Sequence, residues 1–414
     1  MPARPFHYHM YDDPAFSGKG DFAEITRSVP KNANTGGTES KKFYSLKRDM
    51  EKLRQIGAAK GIVDGGFKKI GTSTLGKDIL ALKVGKGSHK VLFTGCHHAR
   101  EWISVEIPYL VAEYLIENYT DAPANNKQRR IKHLLDNRKI WFVPMVNPDG
   151  HTYTVTTNRW WRGNRKAYTL PAGVINSQSH PPGKGRPISY PADTYTGPDL
   201  NRNYNTANWG KETFAGASVT TSRDPRDANS HTPYPRAALW CGPGGSSEKE
   251  SKAVDNLIVA EKFKSSLTYH NFSQLLLYPD AAAADTFVQN VGKGMRDLIN
   301  QYGNPYTYQS GSSLYYTTGD LMDFTYEKVP GRPTYTPELR PKDSAPRIQM
   351  FSGLPESEIE PCFKENLAAA LALINCAGFN AVAGSNTCKV YAPAPPHTCT
   401  VVKNCWRAFK GWSP

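Results

Sequence analysis

Hydrophobic residues recur along most of the 414-residue chain at two alternating spacings. Spacings of three and four positions predict helices over 48–57, 102–119, 247–264, 286–302 and 358–377. Short apolar or alternating runs predict strands over 78–84, 90–96, 140–146, 266–270 and 275–278. Strands separated by helices are typical of an α/β domain with a mixed, mostly buried central sheet flanked by helices.

The pattern of hydrophobic and polar residues also divides the chain into a lead-in, a large domain and a tail. A polar lead-in over 1–42 precedes the alternating region, which we predict to be one large domain over 43–380. Two stretches inside it, 163–197 and 211–236, are rich in Pro, Gly, Ser and Asn, and are too long for ordinary connections. We predict that both are surface insertions. A Pro-rich linker and a Cys-containing tail follow over 381–414.

Composition narrows the class of protein. A hydrophobic content of 39% supports a sizeable core, and no apolar stretch approaches the length of a membrane span. The net charge of +14 leaves a nucleic-acid partner open, but the cations are scattered and form no tract with interleaved aromatic residues. We therefore expect a soluble basic protein that binds neither nucleic acid nor membrane.

The number and positions of the cysteines bear on whether the protein is secreted. Seven cysteines is an odd number, so at least one thiol is free or pairs outside the chain. Four of them (Cys376, Cys388, Cys399 and Cys405) lie near the end of the chain, a clustering typical of disulfides that favours secretion. The first residues contain no apolar leader, so the chain is expected to be either intracellular or a mature form.

His98 and Glu101 lie three positions apart, just after the apolar run over 91–93. Imidazole and carboxylate groups are ordinary zinc ligands, and a hydrolytic zinc site uses three protein ligands with one position open. Such short matches also arise by chance, and a polar surface loop is the alternative interpretation.

Further motifs occur at or after predicted strand ends. They are NPDG at 147–150, NRWWR at 158–162, GPDLNRN at 197–203, TYH at 268–270 and TPELR at 336–340. Ligand sites of open α/β sheets gather at the carboxyl ends of strands, where His98, His270 and Glu338 all fall.

Taken in order, these motifs resemble those of the zinc carboxypeptidases of the pancreatic carboxypeptidase A and B type, over about 43–378. The resemblance implies an exopeptidase with one Zn²⁺ that hydrolyses the C-terminal peptide bond of peptides and proteins. His98, Glu101 and His270 match its zinc ligands, whereas the adjacent His97 lacks the three-residue offset to Glu101. Asp199 matches the carboxylate that holds the first histidine from behind; a loop-capping aspartate is the alternative.

Two residues match catalytic positions of the family. Glu338 matches the general base, which would accept a proton from water and deliver it to the leaving amine; a surface residue at a strand end is the alternative. Arg162 matches the group that stabilises the oxyanion. A salt-bridged arginine, or one stacked on Trp160 and Trp161, is the alternative for Arg162.

Other residues match positions that bind substrate. Arg202 and Asn201 match the pair that reads the terminal carboxylate, because a guanidinium binds carboxylate bidentately. Arg100 matches a further arginine on the substrate side. Tyr315 matches a phenol that closes over the carboxylate, with Tyr316 as its competitor.

Met322 matches the position that sorts this family by substrate. An apolar residue there implies hydrophobic or aromatic C-terminal residues. Asp320, two positions earlier, adds a carboxylate that would attract Lys or Arg as a secondary class. We expect a monomer acting on peptide C-termini, active as it stands or regulated without an inhibitory domain, since 42 polar residues are too few to form one.

Two alternatives remain open at this point. The first is a zinc amidase of similar fold acting on Glu-rich tails or cell-wall peptides, which neither Met322 nor Asp320 favours. The second is a catalytically weak, peptide-binding relative of the same fold. Such a protein would normally lack the base or a metal ligand, and Glu338, His98, Glu101 and His270 are all present.

Overall fold

The computed structural model describes residues 39–65, 67–169, 194–211, 213–214, 217–218, 239–345, 354 and 356–378. Most of the two predicted insertions and all of the C-terminal tail lie outside these residues. The lead-in is described only from Glu39, where the first helix begins.

A mixed sheet of nine strands forms the centre of the molecule. Its strands are β1 (Lys68–Thr72), β2 (Asp78–Val84), β3 (His89–Thr94), β4 (Arg138–Val143), β9 (Ser265–Thr268), β10 (His270–Asn271), β11 (Leu275–Tyr278), β12 (Thr307–Ser310) and β13 (Thr334–Leu339). Two small hairpins comprise β5 (Ala167–Thr169) with β6 (Thr194–Thr196), and β7 (Thr213–Phe214) with β8 (Ala217–Ser218). The strand order is β1-β2-β4-β3-β9-β13-β11-β12, with β10 pairing to β13. The central strands β4, β3, β9 and β13 run parallel, so their carboxyl ends share one edge.

Helices flank this sheet. They are α1 (Glu39–Ala59), α2 (Ile103–Asn118), α3 (Asn126–Asn137), α4 (Pro148–Thr156), α5 (Lys249–Glu261), α6 (Thr286–Tyr302), α7 (Gly311–Leu314), α8 (Leu321–Lys328) and α9 (Ile359–Cys376). No helix among the described residues is both long and apolar enough to cross a membrane.

Both faces of the sheet are buried. Val91 and Phe93 of β3 point into a large core shared with α2, α6 and α9, whereas Leu92 points into a second core with α5 and α8. This alternation follows from the two-residue period of a strand. The predicted α/β class with a buried mixed sheet is therefore confirmed.

Several elements differ from the sequence prediction. The NPDG motif, whose asparagine and proline are equally typical of a turn, begins helix α4, which no periodicity predicted. Asn147 caps the helix by accepting from the Gly150 amide, and Pro148 takes its first position. The first helix is longer than predicted, and β1 and α3 were not predicted.

The cysteine prediction is confirmed in part. Cys96, Cys241 and Cys362 are buried and form no disulfide, so the odd cysteine count does include thiols outside disulfides. Cys376, at the end of α9, is disulfide-bonded.

Candidate active site

The loop between β3 and α2 carries His98 and Glu101 at the carboxyl edge of the sheet. It packs closely on the start of α2: a Cβ at Gly95 would overlap the Ser104 carbonyl oxygen. The Ser104 hydroxyl accepts from the Cys96 amide at 3.0 Å and donates to the Glu101 carbonyl at 2.5 Å. These bonds fix the loop relative to the helix.

His98, Glu101 and His270 converge, and their ligand atoms all lie within 4.8 Å of one another. The Nδ1 atoms of His98 and His270 face each other at 3.0 Å. One Glu101 oxygen lies 2.7 Å from the first of these nitrogens, and the other lies 2.9 Å from the second. Two imidazoles and a carboxylate directed at one buried point are the donor set of a catalytic zinc site, so these residues fit one Zn²⁺.

Asp199 supports this cluster from behind. One of its oxygens lies 3.0 Å from Nε2 of His98, and the other accepts from Nε of Arg162 at 2.8 Å. The first oxygen also accepts from the Asn201 amide, so the loop-capping alternative describes a second role of the same side chain. Burial alone would raise the pKa of Asp199, but Arg162 and His98 hold it well below its usual value.

The buried acidic and basic groups of the cluster shift one another's pKa values. Burial would raise the pKa of Glu101, but the imidazoles of His98 and His270 hold it below its usual value. Burial would lower the pKa of Arg162, whereas Asp199 and other acidic neighbours raise it. Arg162 thus keeps its positive charge in a buried position, with Nη1 3.7 Å from a Glu101 oxygen. The stacking role considered for Arg162 belongs to Arg165, which lies 4.5 Å from the Trp161 ring centroid.

Glu338 reaches the site through strand pairing. β10 and β13 are parallel with His270 directly opposite Glu338, which places the carboxylate beside a member of the candidate metal cluster. Burial raises the pKa of Glu338 well above its usual value, and the charge of Glu101 adds to this, against the opposite effects of Arg162 and Arg202.

A pocket opens from this cluster. His98, Glu338, Asn201, Arg202 and Tyr315 line it on the side of the metal site. The Arg202 guanidinium donates from Nη2 to the Tyr315 hydroxyl at 3.2 Å. Arg100 is placed differently: it is buried, donates to the Trp160 carbonyl at 3.0 Å and does not line this pocket.

The lining of the pocket also includes apolar and acidic groups. Met322, 4% exposed, lines it together with Asp280, Asp320 and Asp323. Asp320 also caps α8 by accepting from the Asp323 amide at 2.9 Å. Among the described residues, no lysine or arginine forms an ion pair with any of these three carboxylates. Burial raises the pKa of Asp323 well above its usual value, and Asp320 and Asp280 raise it further.

The sequence did not indicate the roles of Asp280 and Asp323. Asp323 directly follows Met322, so its proximity to the pocket could have been noticed. Asp280 follows β11, and only the fold brings it to the same wall.

The fold and the site together define an α/β protein with one mononuclear site of the kind that zinc hydrolases use. The chain belongs to the zinc carboxypeptidase family, peptidase family M14, whose model matches residues 66–369.

Individual relatives agree with this assignment. Carboxypeptidase B of Bos taurus is 32% identical over 312 residues, which are 72% of this chain and 62% of the relative. Mast cell carboxypeptidase A of Rattus norvegicus is 28% identical, over 72% of this chain and 63% of the relative. The matches thus span a little under two thirds of the length of these relatives.

The fold is also similar to a solved structure, that of bovine thrombin-activatable fibrinolysis inhibitor in complex with tick carboxypeptidase inhibitor. The TM-score is 0.61 at 24% sequence identity, and the match covers 80% of this chain and 96% of the other. The family assignment and the donor set agree on a single zinc ion.

Proposed function

We propose that this protein is a zinc-dependent carboxypeptidase that removes single residues from the C-termini of peptides and proteins. The observation that carries the proposal is the position of Arg202. Its guanidinium lines the same pocket as His98 and Glu338, so a bound C-terminal carboxylate would lie close to the metal cluster.

The residues around the cluster suit peptide hydrolysis. Zinc, when bound by His98, Glu101 and His270, would polarise the scissile carbonyl and lower the pKa of water. Glu338 would take a proton from the attacking water and pass it to the departing amine, a role that a raised carboxyl pKa suits. Arg162 would stabilise the negative charge that develops on the carbonyl oxygen, because Asp199 holds its guanidinium in a fixed orientation.

Exopeptidase action requires recognition of a free carboxylate. Arg202 presents a planar donor fork, Asn201 adds an amide donor, and the Tyr315 hydroxyl already contacts Arg202 at 3.2 Å. Arg100, which is buried and donates from Nη1 to the Trp160 carbonyl at 3.0 Å, would serve as a further arginine on the substrate side.

For the residue that is removed, we propose a hydrophobic or aromatic side chain, with Lys and Arg as a second class. Met322 provides an adaptable apolar surface. Asp320, together with Asp280 and Asp323, offers carboxylates without a cationic partner among the described residues, and a bound ammonium or guanidinium would compensate them. The aliphatic stem of Lys or Arg could contact Met322 while its charged end reaches these carboxylates.

The disulfide at Cys376 supports an extracellular location, because such bonds persist in oxidising compartments. We therefore propose that the enzyme acts as a secreted monomer. Its catalytic domain would comprise 43–380, flanked by the lead-in and the tail, with the insertions at its surface.

A peptide panel tests the proposal. N-blocked dipeptides ending in Phe, Leu, Arg or Glu should be hydrolysed in the order hydrophobic, then Arg, with Glu poorest, and o-phenanthroline should stop all of them. C-terminally amidated versions are the matched control and should resist cleavage. Efficient cleavage of the amides would contradict exopeptidase action, whereas a preference for Glu would contradict only the proposed pocket.

A further inference from the structure

The two imidazoles of the metal cluster are supported from behind by different kinds of group. Nε2 of His98 lies against the Asp199 carboxylate. Nε2 of His270 instead lies 3.4 Å from the Thr268 hydroxyl and 3.4 Å from the Asn201 amide nitrogen. Among the described residues, no carboxylate contacts this second nitrogen.

His97 lies directly behind His270. It is fully buried, and its ring stacks on that of His270 with centroids 5.5 Å apart and planes 22° apart. Its Nδ1 lies 3.4 Å from the Thr268 hydroxyl, and its Nε2 lies 2.8 Å from the hydroxyl of the buried Tyr204. The Thr268 hydroxyl therefore contacts both rings, those of His97 and His270.

We propose that His97 is a positioning residue for the metal and that it acts on His270 through Thr268. A His270 that ligates through Nδ1 carries its proton on Nε2, which needs an acceptor. Asn201 cannot accept there, because its oxygen is bound to the Leu321 amide at 2.9 Å and its nitrogen only donates. The Thr268 hydroxyl is then the acceptor within reach.

The donors and acceptors of the other hydrogen bonds follow from the bond that His270 donates to Thr268. A hydroxyl that accepts from His270 is free to donate its own proton, and Nδ1 of His97 is the acceptor nearby. His97 then carries its proton on Nε2 and donates it to the Tyr204 oxygen. The chain Tyr204–His97–Thr268 thereby sets both the tautomer and the ring plane of His270, using neutral groups only.

This inference rests on zinc binding by the cluster, and does not depend on which peptides are cleaved. The test is therefore the dissociation constant for Zn²⁺ of the purified full chain, measured by competition with a chromophoric chelator. We expect Thr268→Val and His97→Phe each to weaken zinc binding about 10- to 100-fold, the usual effect of losing a partner behind a metal ligand. The variant that carries both substitutions should bind zinc no more weakly than the single variant with the lower affinity, because both substitutions break the same chain of hydrogen bonds.

Matched variants separate positioning from general loss of packing. Thr268→Ser keeps the hydroxyl and His97→Asn keeps an acceptor near Nδ1, so both should retain most of the affinity. Thr334→Val removes another buried hydroxyl of the same sheet, one that pairs with Ser266 at 2.6 Å, and should lower the melting temperature without changing zinc affinity. If His97→Phe does not fold, the Thr268 pair tests the contact with His270, and Tyr204→Phe, which removes the hydroxyl 2.8 Å from Nε2 of His97, should weaken zinc binding in the same direction.

Two results would overturn the inference. One is a Thr268→Val variant that binds zinc as tightly as the wild-type protein does. The other is a loss of affinity in Thr268→Ser equal to that in Thr268→Val. If instead the wild-type chain fails to bind zinc, the proposed function fails as well, so the two failures are distinguishable.

Discussion

Asp199 and Arg162 form a buried ion pair, with Nε of the arginine 2.8 Å from one carboxylate oxygen. The other oxygen lies against His98, one of the three proposed zinc ligands. One carboxylate therefore orients both a proposed zinc ligand and the group proposed to stabilise the transition state. A substitution of Asp199 should affect zinc binding and catalysis together.

Asp199→Asn should weaken zinc binding about 10- to 100-fold, because an amide supports the imidazole less strongly than a carboxylate. With zinc at saturation, kcat should still be reduced, since Arg162 loses its ionic partner. Chelator competition and steady-state kinetics measure the two effects. A kcat fully restored by excess zinc would show that Arg162 does not depend on Asp199.

Glu338→Gln should reduce kcat about 10²- to 10⁴-fold, the usual effect of losing a general acid–base group. Zinc content should be unchanged, as measured by metal analysis. A variant that retains more than a tenth of the wild-type kcat would rule out Glu338 as the base.

The same substitution should not destabilise the metal-free protein. Burial raises the pKa of Glu338, so its ionised form costs stability above the unfolded pKa, and the neutral glutamine removes that cost. Glu365→Gln is the matched control: Glu365 is buried but paired with Arg340 at 2.8 Å, and its loss should lower the melting temperature. A comparable decrease in both variants would contradict this interpretation.

Removal of the metal should abolish activity and lower the melting temperature, because zinc binds the folded state alone. At free zinc 100-fold above its Kd, the stabilisation should be about 2.7 kcal/mol. Activity assays and thermal scans with o-phenanthroline measure both effects, and added zinc should reverse them. The non-chelating isomer m-phenanthroline is the control and should have neither effect.

The preference for basic over neutral C-terminal residues should rise with pH. Because the pKa of Asp323 is raised, this side chain is protonated at lower pH and gains its negative charge only as the pH passes that value. The ratio of kcat/KM for Arg-ended to Leu-ended peptides should therefore increase as the pH rises through the raised pKa of Asp323. The ratio cancels the effect of enzyme groups whose ionisation changes the cleavage of both peptides equally.

Asp323→Asn should remove most of this pH dependence and lower the ratio at high pH. If the ratio of the wild-type enzyme does not change with pH, Asp323 does not contact the substrate side chain.

The sequence predicted the central elements well because both faces of the sheet are buried. The strand over 78–84 and the helix over 286–302 have the bounds predicted for them, since their apolar periods are regular. Helix α4 was missed because asparagine and proline begin turns and helices alike, and its Thr-rich sequence has low helix propensity. The edge strand β1 carries a short polar sequence and gives little signal.

The metal cluster could be predicted because its ligands lie in short motifs at strand ends. The acidic wall of the pocket could not, because Asp280 and Asp323 are 43 positions apart in the chain and meet only once β11 and α8 are placed. The support behind His270 was missed for a similar reason: His97 was considered only as a rival ligand, and its contacts with Thr268 and Tyr204 depend on the fold.

The order of the elements along the chain has a consequence for biosynthesis. Every proposed ligand and catalytic group precedes residue 339, yet α9, which packs on α2 and α6, is made later. A nascent chain that ends before α9 would carry the complete set of chemical groups on a scaffold with its apolar surfaces still open to water. Acquisition of zinc at a well-formed site would then mark the completion of the domain, and the hydrolase would remain inert on the ribosome until that stage.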